Sequence, residues 1–123
     1  MKIVRTMWWL ALLLAGSVLS ADVALGHSGL QRAEPPVEST LKRPPTEVKL
    51  YFSERLVPAY STVRVEDGQG TRVDRDDSRV DRSNPRLMQV TLPPLAHGTY
   101  TVIWRVLSVD SHITEGRFTL RVE

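Results

Sequence analysis

The fold of this chain is decided by one stretch of sequence, GTYTVIWRV at positions 98–106. Its large apolar residues recur at every second position, as Tyr100, Val102, Trp104 and Val106. Because successive side chains of a strand point to opposite faces, this row predicts a long strand with one buried face. Tyr100 stands at the start of that strand, which is the position of a tyrosine corner in a β-sandwich.

Four further stretches show the same alternation on either side of this strand. Their inward rows are Val48, Leu50 and Phe52; Val63 and Val65; Met88, Val90 and Leu92; and Phe118, Leu120 and Val122. No window has a helical period, and prolines separate the apolar stretches. The spacing predicts an all-β domain, an antiparallel Greek-key sandwich.

The first 26 residues have the features of a secretory signal peptide. Lys2 and Arg5 precede an apolar run, and small residues stand at Ala24 and Gly26. Cleavage after Gly26 leaves one domain, residues 27–123, with His27 at its amino terminus.

Two other interpretations of this segment remain open. Cleavage after Ala21 would leave Asp22 at the terminus and remove the special position of His27. A retained membrane anchor is the second, although the apolar run is shorter than the ~20 residues that a span requires.

The charge balance and the absence of cysteine limit the partners and metal sites that this chain can have. Removing residues 1–26 leaves 14 basic and 13 acidic residues, a balance that disfavours nucleic acid, which calls for a clustered basic face. The chain has no cysteine, so thiolate metal sites and thiol nucleophiles are excluded. We interpret the mixed-sign run DRDDSRVDR at 74–82 as a solvated loop or edge.

A small set of donors could bind a metal ion. A terminal His27 carries both an α-amine and an imidazole, which together chelate one ion. Asp110 and His112 are two positions apart, so in a continuing strand they would project to one side, although a lone D-x-H is also common in polar loops. Nitrogen and oxygen donors of this kind suit tetragonal Cu(II), and Zn(II) would accept them in a tetrahedral arrangement.

Three segments resemble one protein family. The string WRVLSVDSH at 104–112 is similar to the W-R-V-x-S-x-D-x-H signature of the CopC family of periplasmic copper-binding proteins. VKLYFSE at 48–54 and LPPLAHGTY at 92–100 also resemble segments of that family. The resemblance implies a seven-stranded, immunoglobulin-like Greek-key sandwich or barrel and a role in copper handling outside the cytoplasm.

The resemblance also implies a site. It places one Cu(II) on His27, Asp110 and His112. Glu54 is a candidate to accept a hydrogen bond from a ligating imidazole, or else an exposed carboxylate at a strand end. Met88 is the only methionine after position 26 and is expected in the core, so we expect no Cu(I) site. His97 is expected on the surface, away from the metal.

The expected function is that of a monomeric, non-enzymatic carrier or buffer of Cu(II) in the periplasm. It would serve copper resistance or import, with an inner-membrane transporter of the CopD type as a candidate partner. Two alternatives remain. One is an oxygenase with a histidine brace, whose open coordination position Asp110 would fill. The other is a structural sandwich domain without a metal.

Overall fold

The computed structural model describes residues 29–123, and these residues form two facing β-sheets. The strands are β1 (Leu30–Glu34), β2 (Thr40–Leu41), β3 (Glu47–Phe52), β4 (Thr62–Glu66), β5 (Arg79–Val80), β6 (Leu87–Thr91), β7 (Gly98–Leu107) and β8 (Ile113–Val122). A 3-10 turn, Pro58–Tyr60, precedes β4. None of the helical segments within 29–123 has the length and apolarity needed to cross a bilayer.

The strand order is β1-β3-β6-β5 in one sheet and β2-β8-β7-β4 in the other. The predicted all-β sandwich is confirmed. It has eight strands within the described range rather than seven, and β2 runs parallel to β8 while the other pairs are antiparallel. β2 and β5 have two residues each and are too short to show an alternation in sequence.

The predicted inward rows form the core between the two sheets. Trp104 is at the centre, 1% exposed, with its ring edge-on to Phe52 at 6.3 Å and tilted against Phe118 at 6.1 Å. Aromatic pairs at such spacings add to the stabilisation from buried apolar area. Met88 is also fully buried, so its expected place in the core is confirmed.

The tyrosine corner is present at the start of β7. The Tyr100 hydroxyl donates a hydrogen bond to the Ala96 carbonyl at 2.7 Å. This bond ties the long strand to the connection before it, because the phenol reaches back over the four preceding residues.

The mixed-sign run is a loop with a short edge strand, but its acidic side chains are not all solvated. The Asp74 side chain is completely buried, accepts a hydrogen bond from the Val65 amide at 2.8 Å and pairs with Arg72 at 2.9 Å. Burial alone raises the pKa of Asp74, but hydrogen bonds from Arg72, Val65 and the Asp76 amide outweigh it and hold that pKa below its usual range. The solvated interpretation is therefore wrong at Asp74, which joins the loop to β4.

Candidate metal centre

The D-x-H motif lies in the tight turn between β7 and β8. The Ser108 amide donates to the His112 carbonyl at 2.9 Å, and the Ser111 amide donates to the Ser108 carbonyl at 2.9 Å. The backbone of Ser111 has a φ of 74°, a left-handed conformation that residues other than glycine rarely adopt. The strand thus ends before the motif, and the expectation that strand alternation aligns Asp110 with His112 is corrected: the reversal of the turn brings them together.

Asp110 and His112 are in direct contact. The His112 Nδ1 is 3.1 Å from the Asp110 Oδ2, while the His112 amide donates to the Oδ1 at 3.3 Å. The Ser108 hydroxyl also donates to the Oδ1. When His112 is neutral and its proton is on Nε2, the Nδ1 lone pair and the Asp110 Oδ2 are close enough that both would bind one metal ion.

The charge of this pair suits a cation. The hydrogen bond from Ser108 has the largest effect on the pKa of Asp110 and, together with those from His112, lowers it against the opposing effect of burial. The carboxylate is therefore ionised at neutral pH. The side chains of His112 and Asp110 are 79% and 44% exposed, so both can be reached from solvent.

An open pocket at this end of the sandwich collects residues from three parts of the chain. Its lining includes Gly29, Ser53, Glu54, Asp110 and His112. The Ser53 amide donates to the Gly29 carbonyl at 2.7 Å, which fixes the start of the described chain beside β3. Glu54 is exposed and lines the same pocket, which is compatible with either role expected for it.

His27 lies outside the described residues. Between positions 29 and 123, no group of three or more His, Cys, Asp or Glu side chains is arranged to hold a metal ion. Asp110 and His112 thus supply two donors, a charged oxygen and a nitrogen. Both donors are of a kind that binds copper, but two donors are too few for a site. A third donor would have to come from elsewhere in the chain.

His97 does not belong to this site. It is exposed and precedes Gly98, at the far end of β7 from the D-x-H turn. A strand of ten residues spans about 30 Å, a separation that excludes a shared ion. The predicted surface position of His97 is confirmed.

Ser108 is a residue of the site to which sequence reasoning assigned no role. It lies inside the quoted motif, two positions before Asp110. Serine is so common in loops that its presence there does not indicate a functional role. Its burial and its bond to the carboxylate became visible only in the folded hairpin.

Comparison with known proteins identifies the family of this chain. The family model named CopC domain matches residues 30–123. The chain belongs to the CopC family. The resemblance identified from the D-x-H string and the two other segments is therefore confirmed.

Relatives in this family carry names that concern copper. The chain is 29% identical over 113 residues to the copper transport protein CutJ of Bacillus subtilis (strain 168), covering 91% of this chain but only 21% of the relative. It is 30% identical to copper resistance protein C of Pseudomonas syringae pv. tomato, covering 90% of this chain and 92% of the relative.

A solved structure shares the fold. The crystal structure of CopC from Methylosinus trichosporium OB3b superposes with a TM-score of 0.69 at 35% identity, covering 79% of this chain and 94% of that one. Family, fold and names together connect this chain with copper.

Proposed function

We propose that the protein is a periplasmic carrier or buffer of Cu(II) that binds one ion through His27, Asp110 and His112. The observation that carries this proposal is the contact between Asp110 and His112 in an open pocket that Gly29 borders. The α-amine and imidazole of His27 would complete the donor set after removal of residues 1–26.

Chain connectivity supports the participation of His27. It precedes Gly29 by two residues, and two residues span at most about 7 Å. Gly29 is held by its bond to Ser53 and lines the same pocket as Asp110 and His112, which supports a position of the His27 donors near these two side chains.

Asp110 favours a carrier over an oxygenase. A carboxylate that occupies a coordination position takes the place that oxygen would need, and its negative charge stabilises the oxidised ion. The exposure of both described ligands suits an ion that must enter and leave.

Delivery to an inner-membrane transporter of the CopD type is the proposed destination of the ion. The relative CutJ is named a copper transport protein, and this chain spans about a fifth of its length. A role in resistance uses the same site, because a protein that holds Cu(II) lowers the free concentration of the ion.

The proposal is tested on protein purified from the periplasm. Intact mass should show a chain that begins at His27, and desalting after addition of Cu(II) should leave one ion per chain. Asp110→Ala should weaken binding and change the Cu(II) EPR parameters, whereas His97→Ala should match the wild type in both.

Other outcomes would contradict the proposal. A chain that begins at Asp22, or loss of all copper on desalting, would exclude the site. Turnover with a reductant and oxygen above that of free copper, abolished in His112→Ala, would favour the oxygenase.

A further inference from the structure

A buried hydroxyl holds one of the two carboxylate oxygens of Asp110. Ser108 is 8% exposed, and its Oγ donates to the Asp110 Oδ1. The same Oγ lies 3.2 Å from the His112 carbonyl, which already accepts the Ser108 amide. A hydroxyl has a single proton, and a charged acceptor in closer contact takes it in preference to a neutral one.

The two oxygens of Asp110 are therefore not equivalent. The Oδ1 accepts the Ser108 hydroxyl and, at 3.3 Å, the His112 amide. The Oδ2 has the His112 Nδ1, at 3.1 Å, as its contact within the described part of the chain. The carboxylate cannot rotate without breaking the bonds to the Oδ1.

We propose that Ser108 is a positioning residue that locks the Asp110 carboxylate so that its Oδ2, and not its Oδ1, is the oxygen presented to copper. This inference rests on the proposed function. It goes further, because it assigns different roles to the two oxygens and gives a role to a residue that does not touch the ion.

The surroundings of Ser108 make it a rigid donor. Its backbone bridges to Leu56 and also closes the hairpin to His112, so the hydroxyl is held on the buried side of the turn. Asp110 is 44% exposed and would otherwise be free to change rotamer. Locking it before the ion arrives removes an ordering cost from binding.

The chain offers a matched control for a Ser108 variant. Ser61 is 4% exposed, and its hydroxyl lies at the same end of β7. There it donates to the Val57 carbonyl at 2.8 Å and accepts from the Leu107 amide at 3.2 Å, without contacting Asp110. Removal of either hydroxyl perturbs the hairpin end, but only one removal frees the carboxylate.

The experiment compares Ser108→Ala, Ser108→Thr and Ser61→Ala with the wild type. Cu(II) affinity is measured by competition with a chromophoric chelator, coordination by EPR, and the Asp110 χ1 rotamer by NMR couplings in the metal-free protein. Ser108→Ala should bind about tenfold more weakly, as expected for one lost hydrogen bond, with altered EPR parameters and averaged χ1 couplings. Ser108→Thr keeps the hydroxyl and should restore all three readouts.

Ser61→Ala should lower thermal stability but leave the affinity, the EPR spectrum and the Asp110 rotamer unchanged. Ser108→Ala leaves no buried group without a hydrogen-bond partner, because the Asp110 oxygens can bond to water. The variant should therefore fold, and the same NMR spectra verify that it does.

Wild-type affinity and a single rotamer in Ser108→Ala would overturn the inference. Equal losses of affinity in Ser108→Ala and Ser61→Ala would also overturn it, since the effect would then come from hairpin stability. A wild type that binds no Cu(II) would instead refute the proposed function, and the metal-free rotamer measurement would still decide whether Ser108 locks the carboxylate.

Discussion

Replacing Asp74 with asparagine tests how the loop after β4 is held to the sandwich. The Asp74 side chain is fully buried and accepts hydrogen bonds from the Val65 amide at 2.8 Å and the Asp76 amide at 3.0 Å, in addition to its pair with Arg72. Asp76 provides a matched control, because it pairs with the same Arg72 at 3.1 Å but is 82% exposed. Asparagine tolerates the left-handed backbone of Asp76, φ 59°, so the same chemical change can be made at both positions.

The expected magnitude follows from the contacts that are lost. An asparagine at position 74 can still accept the Val65 amide, but its own amide group then faces the Arg72 guanidinium and the Asp76 amide, which are donors. Hydrogen bonds to a charged group contribute about 1.5–3 kcal/mol, so we expect a loss of about 2–3 kcal/mol. Arg72 remains 43% exposed and can return to water, which limits the loss to this range. An exposed ion pair contributes less than about 1 kcal/mol, the upper limit expected for Asp76→Asn.

Thermal unfolding followed by circular dichroism measures both changes. In a domain of this size 1 kcal/mol corresponds to about 4–8 °C in Tm, so Asp74→Asn should lower Tm by roughly 10–20 °C and Asp76→Asn by only a few degrees. Equal shifts in the two variants would refute the reasoning. An unchanged Tm in Asp74→Asn would show that the buried carboxylate does not hold the loop.

Three further outcomes are expected. The pKa values of Asp77 and Asp81, like that of Asp74, lie below the usual range. Hydrogen bonds from Thr91 to Asp77 and from Ser83 to Asp81 are the largest causes of the first two shifts. The unfolded chain then binds more protons in acid, so stability should be complete above about pH 4 and fall as pH drops through the folded pKa values; a constant Tm from pH 7 to 2 would contradict this. Tyr100→Phe removes the bond to the Ala96 carbonyl and should cost about 1 kcal/mol in urea unfolding, with no loss if the corner contributes nothing. Reduction by ascorbate should release the bound copper, because the chain has no cysteine and Met88 is fully buried; retention of one tight Cu(I) per chain would show that soft ligands are not needed.

The alternating strands were predictable because their large apolar residues recur at every second position, although β6 is buried on both faces from Leu87 to Val90. β3, β4, β6, β7 and β8 show that period and lie where the sequence predicts them. β1 was not predicted, since its sequence LQRAE has one buried residue and follows no alternation. An edge strand can form from such a sequence because its neighbour supplies the hydrogen bonds, as β3 does for β1.

The contact between Asp110 and His112 joins two residues that the sequence marks as candidate ligands, but its geometry was not predictable. The D-x-H string marks Asp110 and His112 because carboxylate and imidazole groups bind metal ions wherever they converge. The spacing suggested a strand, whereas the residues lie in a turn closed by bonds between Ser108, Ser111 and His112. Local sequence does not reveal that turn, because Ser111 at φ 74° is an uncommon conformation that the two paired strands impose.

By itself, the sequence determined the fold class, the core rows and the identity of the candidate ligands. An alternation of apolar residues and the donor chemistry of a side chain are both properties of the local sequence. Only the tertiary structure decided which carboxylates are buried, which oxygen of Asp110 is held, and that Gly29 borders the same pocket as His112. These properties depend on segments far apart in the chain. Asp74 is buried against β4, and Gly29 reaches the pocket through its bond to Ser53 at the end of β3. Contacts of this kind arise when the sheets assemble, and no local pattern encodes them.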